Sequence, residues 1–290
     1  MIKFKGTIDL HMHTTVSDGT DTPEIISQKV KAAGISLFSV TDHDALKAAT
    51  IIPAILNSYD PQFIPGIEFS SRDEFGKYHI LGYNFDPTNK ELNDFVNHGH
   101  NMRMDKVKGR LEFLETEFGF KFPDNEIEHL LSMDNPGKPH IGNLMVKYGY
   151  APTKELAITE FINKKKFPNQ YVTPKEAIRA ILAGGGIPIL AHPFYGSGDE
   201  LILGDDMDFR LRHLIKLGIR GVEAFYSGFT DNLRNNMINF AEKYDLLITA
   251  GSDYHGTNKL VPLGDTGLNH GLSFPRGLED FLKEINYEHN

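Results

Sequence analysis

The chain has 290 residues, 40% apolar and 24% charged, the balance of a globular protein with a substantial core and room for one large barrel carrying an insertion. A formal net charge of −9 argues against broad electrostatic binding to duplex DNA or to an anionic membrane, although a metal cluster would hide local positive charge from such a sum. There is no cysteine, which excludes a disulfide framework and thiolate ligands and leaves nitrogen and oxygen as the donors for any metal.

A short apolar run, Thr7-Ile8, reaches Asp9 without a charged-then-apolar leader before it. No apolar stretch approaches the length of a membrane span, so a cytoplasmic protein is the expectation. Ser17-Asp18-Gly19 has turn chemistry. Thr22-Pro23-Glu24 then opens a helix, with Thr as N-cap, Pro at the first helical position and an acid in the first turn. Ile25, Ile26, Val30 and Ala33 recur at helical spacing, and Gly34 ends the helix. A strand over Leu37-Phe38-Ser39-Val40, a helix around 45–56 and a strand into Glu68 follow. That rhythm predicts parallel βα units.

From about 88 to 167 the rhythm breaks into a polar, helical stretch with no convincing strand and with several isolated histidines, His98, His100, His129 and His140. This predicts a helical insertion domain at 88–167 between two barrel segments, 1–87 and 168–290. Thr173-Pro174-Lys175-Glu176 repeats the capping logic of Thr22, and Gly184-Gly185-Gly186 ends that helix. The strands Ile187–Leu190 and Leu246–Thr249 restore the alternation. The fold class read from the chain is α/β.

Histidines and carboxylates gather at the ends of these strands. His11 and His13 are two apart, so on a strand both imidazoles face one side and can reach one ion; Asp253 and His255 repeat the spacing. With Asp18, His43, Glu68, His79 and His192 they make nine candidate ligands. A catalytic zinc-type ion takes about three protein ligands plus water, so nine suit two or three divalent ions, Mn²⁺, Zn²⁺ or Fe²⁺. Paired ions of this kind are typical of phosphoryl chemistry. Asp42 and Asp44 flank His43 and could hold its tautomer, or Asp44 could cap the next helix. Asp9 reads as structural, and Tyr254 should point away from the ions.

In this order the motifs Asp9-Leu10-His11-Met12-His13 with Ser17-Asp18-Gly19, Thr41-Asp42-His43-Asp44, Pro65-Gly66-Ile67-Glu68-Phe69-Ser70 with His79, Ala191-His192-Pro193 and Gly251-Ser252-Asp253-Tyr254-His255-Gly256 resemble the polymerase-and-histidinol-phosphatase (PHP) superfamily of metal-dependent phosphoesterases. Gly137-Lys138-Pro139-His140, Phe161, Tyr171-Val172 and the Gly184–Gly186 turn resemble the branch that acts on 3′,5′-bisphosphonucleosides and trims short RNA from the 5′ end. The resemblance implies a distorted barrel of seven βα units, a (β/α)7 PHP barrel, with a helical insertion. It implies His11, His13, Glu68 and Asp253 on one ion, Glu68, His79 and His192 on a second, and Asp18, His43 and His255 on a third, with a hydroxide between them as nucleophile. Catalysis is then expected to rest on Glu68, Asp253 and His192. Lys138 stands where the family often has arginine, which gives up bidentate contact with a phosphate.

Along the helix expected from about Leu92 to Leu114, Arg103, Lys106 and Arg110 fall inside the apolar arc of Leu92, Phe95, Val96, Val107 and Leu114. Inward cations need partners. Either they meet a substrate phosphate, with His140 and Lys138 beside them, or they pair with acids of the barrel. Lys164-Lys165-Lys166 reads most simply as solvated surface, and Phe225-Tyr226 as a base-stacking pair or core. The expected partner is a small phosphorylated nucleotide or short RNA, with no obligate protein partner implied. The rivals are a histidinol-phosphate-type phosphatase, a non-catalytic PHP module of the kind built into polymerases, and an amidohydrolase barrel, which also begins with His-x-His but usually bridges its ions through a lysine.

Overall fold

The computed structural model describes residues 7–167, 171–197, 200–268 and 274–287. In chain order the elements are β1 (Thr7–Asp9), α1 (Pro23–Ala32), β2 (Ile35–Phe38), α2 (Lys47–Ile55), β3 (Gln62–Phe63), β4 (Gly66–Asp73), β5 (Gly76–Tyr83), α3 (Lys90–Phe118), α4 (Asp124–Ser132), α5 (Lys138–Lys147), α6 (Lys154–Glu160), α7 (Pro174–Ala183), β6 (Ile187–Leu190), α8 (Gly204–Leu217), β7 (Gly221–Tyr226), α9 (Asp231–Tyr244), β8 (Leu247–Gly251) and α10 (Arg276–Glu284). None of the described helices is long and apolar enough to cross a membrane.

The caps read from the sequence form. Thr22 accepts from the Ile25 amide, Gly34 takes φ 70°, and Thr173 and Glu176 close a reciprocal capping box. Apolar side chains of the strands pack under α7, α8, α9 and α10 in one large core, centred on residues such as Ile67, Ile80, Ile181, Ile189 and Phe281. A second cluster, with Ile26, Val30, Phe38 and Ile52, lies between α1, α2 and the first strands. The helices α3 to α6 have a core of their own around Val107, Leu114, Ile141 and Met145.

The strands form two sheets, β1-β2-β3 and β4-β5-β6-β7-β8. The α/β class is as expected, but the sheets are not one continuous ladder. They meet at single bridges, His43 with Glu68 and Met12 with Tyr254, and through a few backbone bonds around them, among them the Leu10 N–H to Ala250 C=O bond of 2.8 Å and the Asp253 N–H to His11 C=O bond of 2.7 Å. The reason is local. Both seams run through ligand loops whose backbone leaves extended geometry, with Asp44 at φ 48° and Asp253 at φ 59°.

The expectation of purely parallel βα units also needs correction. β4 and β5 form an antiparallel hairpin, and β5 pairs antiparallel with β6; the remaining pairs are parallel. Asp73 makes the tight turn by accepting from the Phe75 and Gly76 amides. His79 is therefore a strand residue, opposite Ser70 and diagonal to Glu68 on the same face.

Candidate metal centre

The ligand-type side chains gather where the strands end. β1 runs into His11 and His13, β2 into His43, β6 into His192, and β8 into Asp253 and His255, while Glu68 and His79 come from the hairpin. All nine candidates lie in one cluster, and none is elsewhere. Its centre is Glu68, 1% exposed. Oε2 of Glu68 lies 3.3 Å from His11 Nε2, 3.1 Å from His13 Nε2 and 3.2 Å from His43 Nδ1. Oε1 lies 2.8 Å from His79 Nδ1 and 3.3 Å from His192 Nε2. Asp18 sits 3.3 Å from His255 Nε2, and Asp253 Oδ1 lies 3.5 Å from His13 Nε2 and 3.4 Å from His255 Nδ1.

Four of the five ring nitrogens facing Glu68 have no hydrogen-bond partner among the described residues. Buried polar atoms are normally satisfied, so a set of orphaned lone pairs around a buried carboxylate is what a cation would complete. Ligand atoms within 4.8 Å of one another fall into four overlapping sets: His13, Asp18, His43 and His255; His11, Glu68 and His192; His11, His13 and Asp253; and His43, Glu68 and His79. Glu68 belongs to two of them. His13 and His43 each stand in two sets, so this grouping is more shared than the three-way division implied by the resemblance.

The electrostatics agree with a cation site. Burial alone would raise the Glu68 carboxyl, but His43, His79 and His11 hold it well below the ordinary glutamate range. Burial opposes the charge of Asp253 too, and Lys259, His11 and His255 keep it ionised. Burial pushes His43 down to about 3, leaving its ring neutral and able to ligate. Burial would lower His255, but Asp18 raises it to about 9 in the absence of an ion. Two of the candidate ligands hold strained backbone, His192 at φ 26° and Asp253 at φ 59°. Such non-glycine outliers persist where the surroundings over-determine them, commonly at functional sites.

Two supporting residues, Glu223 and Lys259, escaped the sequence reading. Glu223, fully buried on β7, places Oε1 3.0 Å from His11 Nδ1 and accepts the His192 amide at 2.8 Å through Oε2. The signal was present: an acid inside the buried run Gly221–Tyr226 needs partners. Tyr226 donates its hydroxyl to Asp253 at 2.9 Å, and the Lys259 ammonium bonds the same carboxylate; nothing in the sequence singled out Lys259. Gly251 leaves no room for a side chain, because a Cβ there would collide with His11 and Glu223.

Asp42 and Asp44 do not hold the His43 ring, and Asp44 caps no helix. Asp42 accepts from the Thr14 amide and hydroxyl and from the Ser17 hydroxyl. Asp44 pairs with Arg103, whose Nε is 3.2 Å away. Asp9 is structural, accepting the Ser252 and Gly264 amides at 2.9 and 2.8 Å, and Tyr254 turns outward to Asp21 at 2.7 Å. Phe225 is core, whereas Tyr226 borders the mouth.

The helical layer closes one side of the mouth. A cleft of about 240 Å³ is lined by Asp18, His43 and His79 from the cluster and by Arg103, Lys106, Arg110, Lys138 and Tyr171. Of the predicted substrate contacts, Arg103, Arg110 and Lys138 line it. His140 turns its Nδ1 to the Gly137 amide, 3.0 Å away, at the start of α5. A larger cavity, about 670 Å³, lies at the opposite, N-terminal ends of β7 and β8 and contains no histidine.

A buried imidazole–carboxylate cluster at strand ends, beside a cationic cleft, is the architecture of a metal-dependent phosphoesterase. The similarity to known proteins runs the length of the chain. It is 28% identical over 268 residues to a phosphoribosyl 1,2-cyclic phosphate 1,2-diphosphodiesterase of Eggerthella lenta, covering 88% of this chain and 96% of that one. It is 28% identical over 284 residues to a 5′-3′ exoribonuclease of Salmonella typhimurium, covering 93% and 91%. It is 23% identical over 282 residues to a 3′,5′-nucleoside bisphosphate phosphatase of Chromobacterium violaceum, covering 96% of each. A crystal structure described as a metal-dependent phosphoesterase of Bifidobacterium adolescentis shares the fold, with a TM-score of 0.81 over 97% of each chain at 24% identity. No family model matches. The chain resembles the PHP superfamily and, within it, the branch of bisphosphonucleoside phosphatases and 5′-3′ exoribonucleases.

Proposed function

We propose that this protein is a metal-dependent phosphoric ester hydrolase acting on a small phosphorylated nucleotide or the 5′ end of a short RNA. The observation that carries the reading is the ring of orphaned imidazole nitrogens around Glu68, opening into a cleft lined by Arg103, Lys106, Arg110 and Lys138. The curated relatives act on phosphate esters of ribose-containing molecules, which fits an anionic substrate with a second phosphate. Divalent ions, two or three of Mn²⁺, Zn²⁺ or Fe²⁺, would supply Lewis acidity and water activation here. His11, His13, Asp18, His43, Glu68, His79, His192, Asp253 and His255 would hold them, with Glu68 shared. Glu223 fixes the rings of the site, and Lys259 and Tyr226 hold Asp253 in place. Arg110 and Lys138, with Arg103 and His140 behind them, would bind the phosphate that is not cleaved, using remote binding energy to lower the barrier at the reacting ester.

In this reading residues 88–167 are a helical unit set on a distorted (β/α)7 barrel formed by the rest, in a cytoplasmic protein. The test is a screen with added Mn²⁺, Zn²⁺ or Fe²⁺ over bisphosphonucleosides, histidinol phosphate and 5′-phosphorylated short RNA. Turnover of the first and third above the second is expected. Preference for histidinol phosphate, or no turnover of any ester, overturns the proposal.

A further inference from the structure

We infer that Lys259 is a catalytic residue that binds the phosphate being cleaved, as distinct from the phosphate held in the arginine-lined cleft. The inference rests on the function proposed above and deepens it by placing a protein cation on the reacting group.

Two cavities open on the cluster. The cleft under the helical layer reaches only Asp18, His43 and His79 of the candidate ligands, and holds Arg103, Lys106 and Arg110. Arg110 is 6% exposed and its Nε has no partner among the described residues, so this cleft awaits an anion of its own. A second cavity, about 250 Å³, is walled by six of the nine candidates, Glu68, His192 and Asp253 among them, together with Tyr226 and Lys259. The reacting phosphorus belongs where the ligands converge, which is the second cavity. Lys259 is the one lysine or arginine among the described residues that line it.

The bonds of Lys259 leave it able to act there. Asp253 divides its two oxygens. Oδ1 faces the rings of His11, His13 and His255 at 3.6, 3.5 and 3.4 Å. Oδ2 accepts from the Tyr226 hydroxyl at 2.9 Å and from the Lys259 ammonium. A cation among the rings would meet Oδ1 and leave Lys259 where it is. Tyr226 gives its proton to Asp253, so its oxygen accepts from Lys259, 3.2 Å away. An ammonium has three protons. Two are engaged in this way, and the third has no acceptor among the described residues. The loop that carries Lys259 is fixed at three points. The Thr257 amide donates to the Thr20 hydroxyl at 2.9 Å, the Asn258 side-chain amide to the Asp18 carbonyl at 2.8 Å, and the Lys154 ammonium of α6 to the Asn258 carbonyl at 2.7 Å. A donor held in place beforehand needs no reorganisation when charge develops.

In the hydrolysis a water oxygen bonds to phosphorus as the ester P–O bond breaks, and one proton of that water ends on the leaving oxygen. Lys259 keeps all of its protons and stabilises negative charge on a phosphoryl oxygen that does not leave. That demand is the same for every ester, whatever else the substrate carries.

The test uses the absence of cysteine from the chain. In Lys259→Cys the new thiol is the single site for alkylation. Treatment with 2-bromoethylamine rebuilds a side chain of lysine length that ends in an ammonium, and iodoacetamide leaves an uncharged amide. With Mn²⁺ in excess, Lys259→Cys should lose roughly 100-fold in kcat/KM on p-nitrophenyl phosphate and on a bisphosphonucleoside alike. By calorimetry it should bind inorganic phosphate roughly tenfold more weakly. Bromoethylamine should restore both properties and iodoacetamide neither, and chelator competition should show no loss of metal affinity in any form. A loss confined to the bisphosphonucleoside, an unchanged phosphate affinity, or equal rescue by both reagents overturns the assignment. So does a fall in metal affinity that accounts for the lost rate, which would leave Lys259 a prop for Asp253. If the wild type hydrolyses no ester with any metal, the proposed function falls, while phosphate affinity still reads the role of Lys259.

Discussion

Glu223→Gln is the most incisive test of how the site is held. The carboxylate accepts two hydrogen bonds, from His11 Nδ1 at 3.0 Å and from the His192 amide at 2.8 Å. Its charge therefore keeps the proton on Nδ1 of His11 and leaves Nε2 bare toward Glu68 and Asp253. Glutamine has almost the same shape but only one acceptor. If its oxygen stays on the His192 amide, its NH2 group faces His11 and forces the other tautomer, with a proton on Nε2 where an ion should bind. If the amide flips, NH2 opposes the His192 N–H, and a buried donor is left unmade at about 1–3 kcal/mol. Either route predicts a loss of metal affinity of roughly 10- to 100-fold, the usual scale for a group that orients a ligating histidine. Competition with a chromophoric chelator measures it directly, and circular dichroism checks the fold. Glu223→Gln with wild-type metal affinity would refute the orienting role.

Elemental analysis of protein prepared without chelator should give at least two ions per chain; a value fixed at one with metal in excess contradicts the shared-ligand cluster. Glu68→Gln should lower kcat by roughly 10³-fold or more, a few kcal/mol of charge stabilisation, in a folded protein; near-normal turnover removes Glu68 from the mechanism. Arg110→Met should separate stability from activity: kcat/KM on a bisphosphonucleoside falls by about 1.5–3 kcal/mol, p-nitrophenyl phosphate turnover is unchanged, and Tm rises because an unpaired buried charge is gone. A lowered Tm with equal losses on both esters would make Arg110 structural. Burial, then the neighbouring Arg103, pushes Lys106 down to about 8. Its cation is present below that pH and lost above it, so affinity for the bisphosphonucleoside should decline through pH 8 in wild type and not in Lys106→Gln. Stability has the opposite sign, rising between about pH 8 and the unfolded lysine value, since the unfolded chain then binds more protons.

Most of the candidate ligand cluster was legible because its members, His79 apart, sit at a strand end or in a short motif, and in the His11/His13 and Asp253/His255 pairs two-residue spacing already points to a common face. The capped helices were legible for a similar reason: Thr22, Thr173 and their glycines act locally. The β4–β5 hairpin was missed because Glu68 to Asp73 reads as the end of a strand and His79 as an isolated residue, although Asp73 to Gly76 carries a turn. Glu223 was missed because its partner His11 is 212 residues away, and Lys259 because its bond to Asp253, six residues back, depends on how the irregular loop after β8 folds over the mouth. Arg103 was placed on the correct face, but its pairing with Asp44 depends on how the helices dock, which no local pattern encodes.

Asp44 follows the candidate ligand His43 directly, and its carboxylate is held by Arg103. The His43 carbonyl is in turn held by the Asn135 side-chain amide. One peptide unit thus joins the helical layer that lines the cleft to the His43 ring of the candidate metal cluster. A phosphate drawn to Arg103 competes with Asp44 for the guanidinium and loosens the tether on His43, while an ion that fixes His43 tightens it. Thermodynamic reciprocity then applies. Whatever factor the metal imposes on substrate affinity, the substrate must return on metal affinity, so apparent metal Kd values will vary with the phosphate content of the buffer.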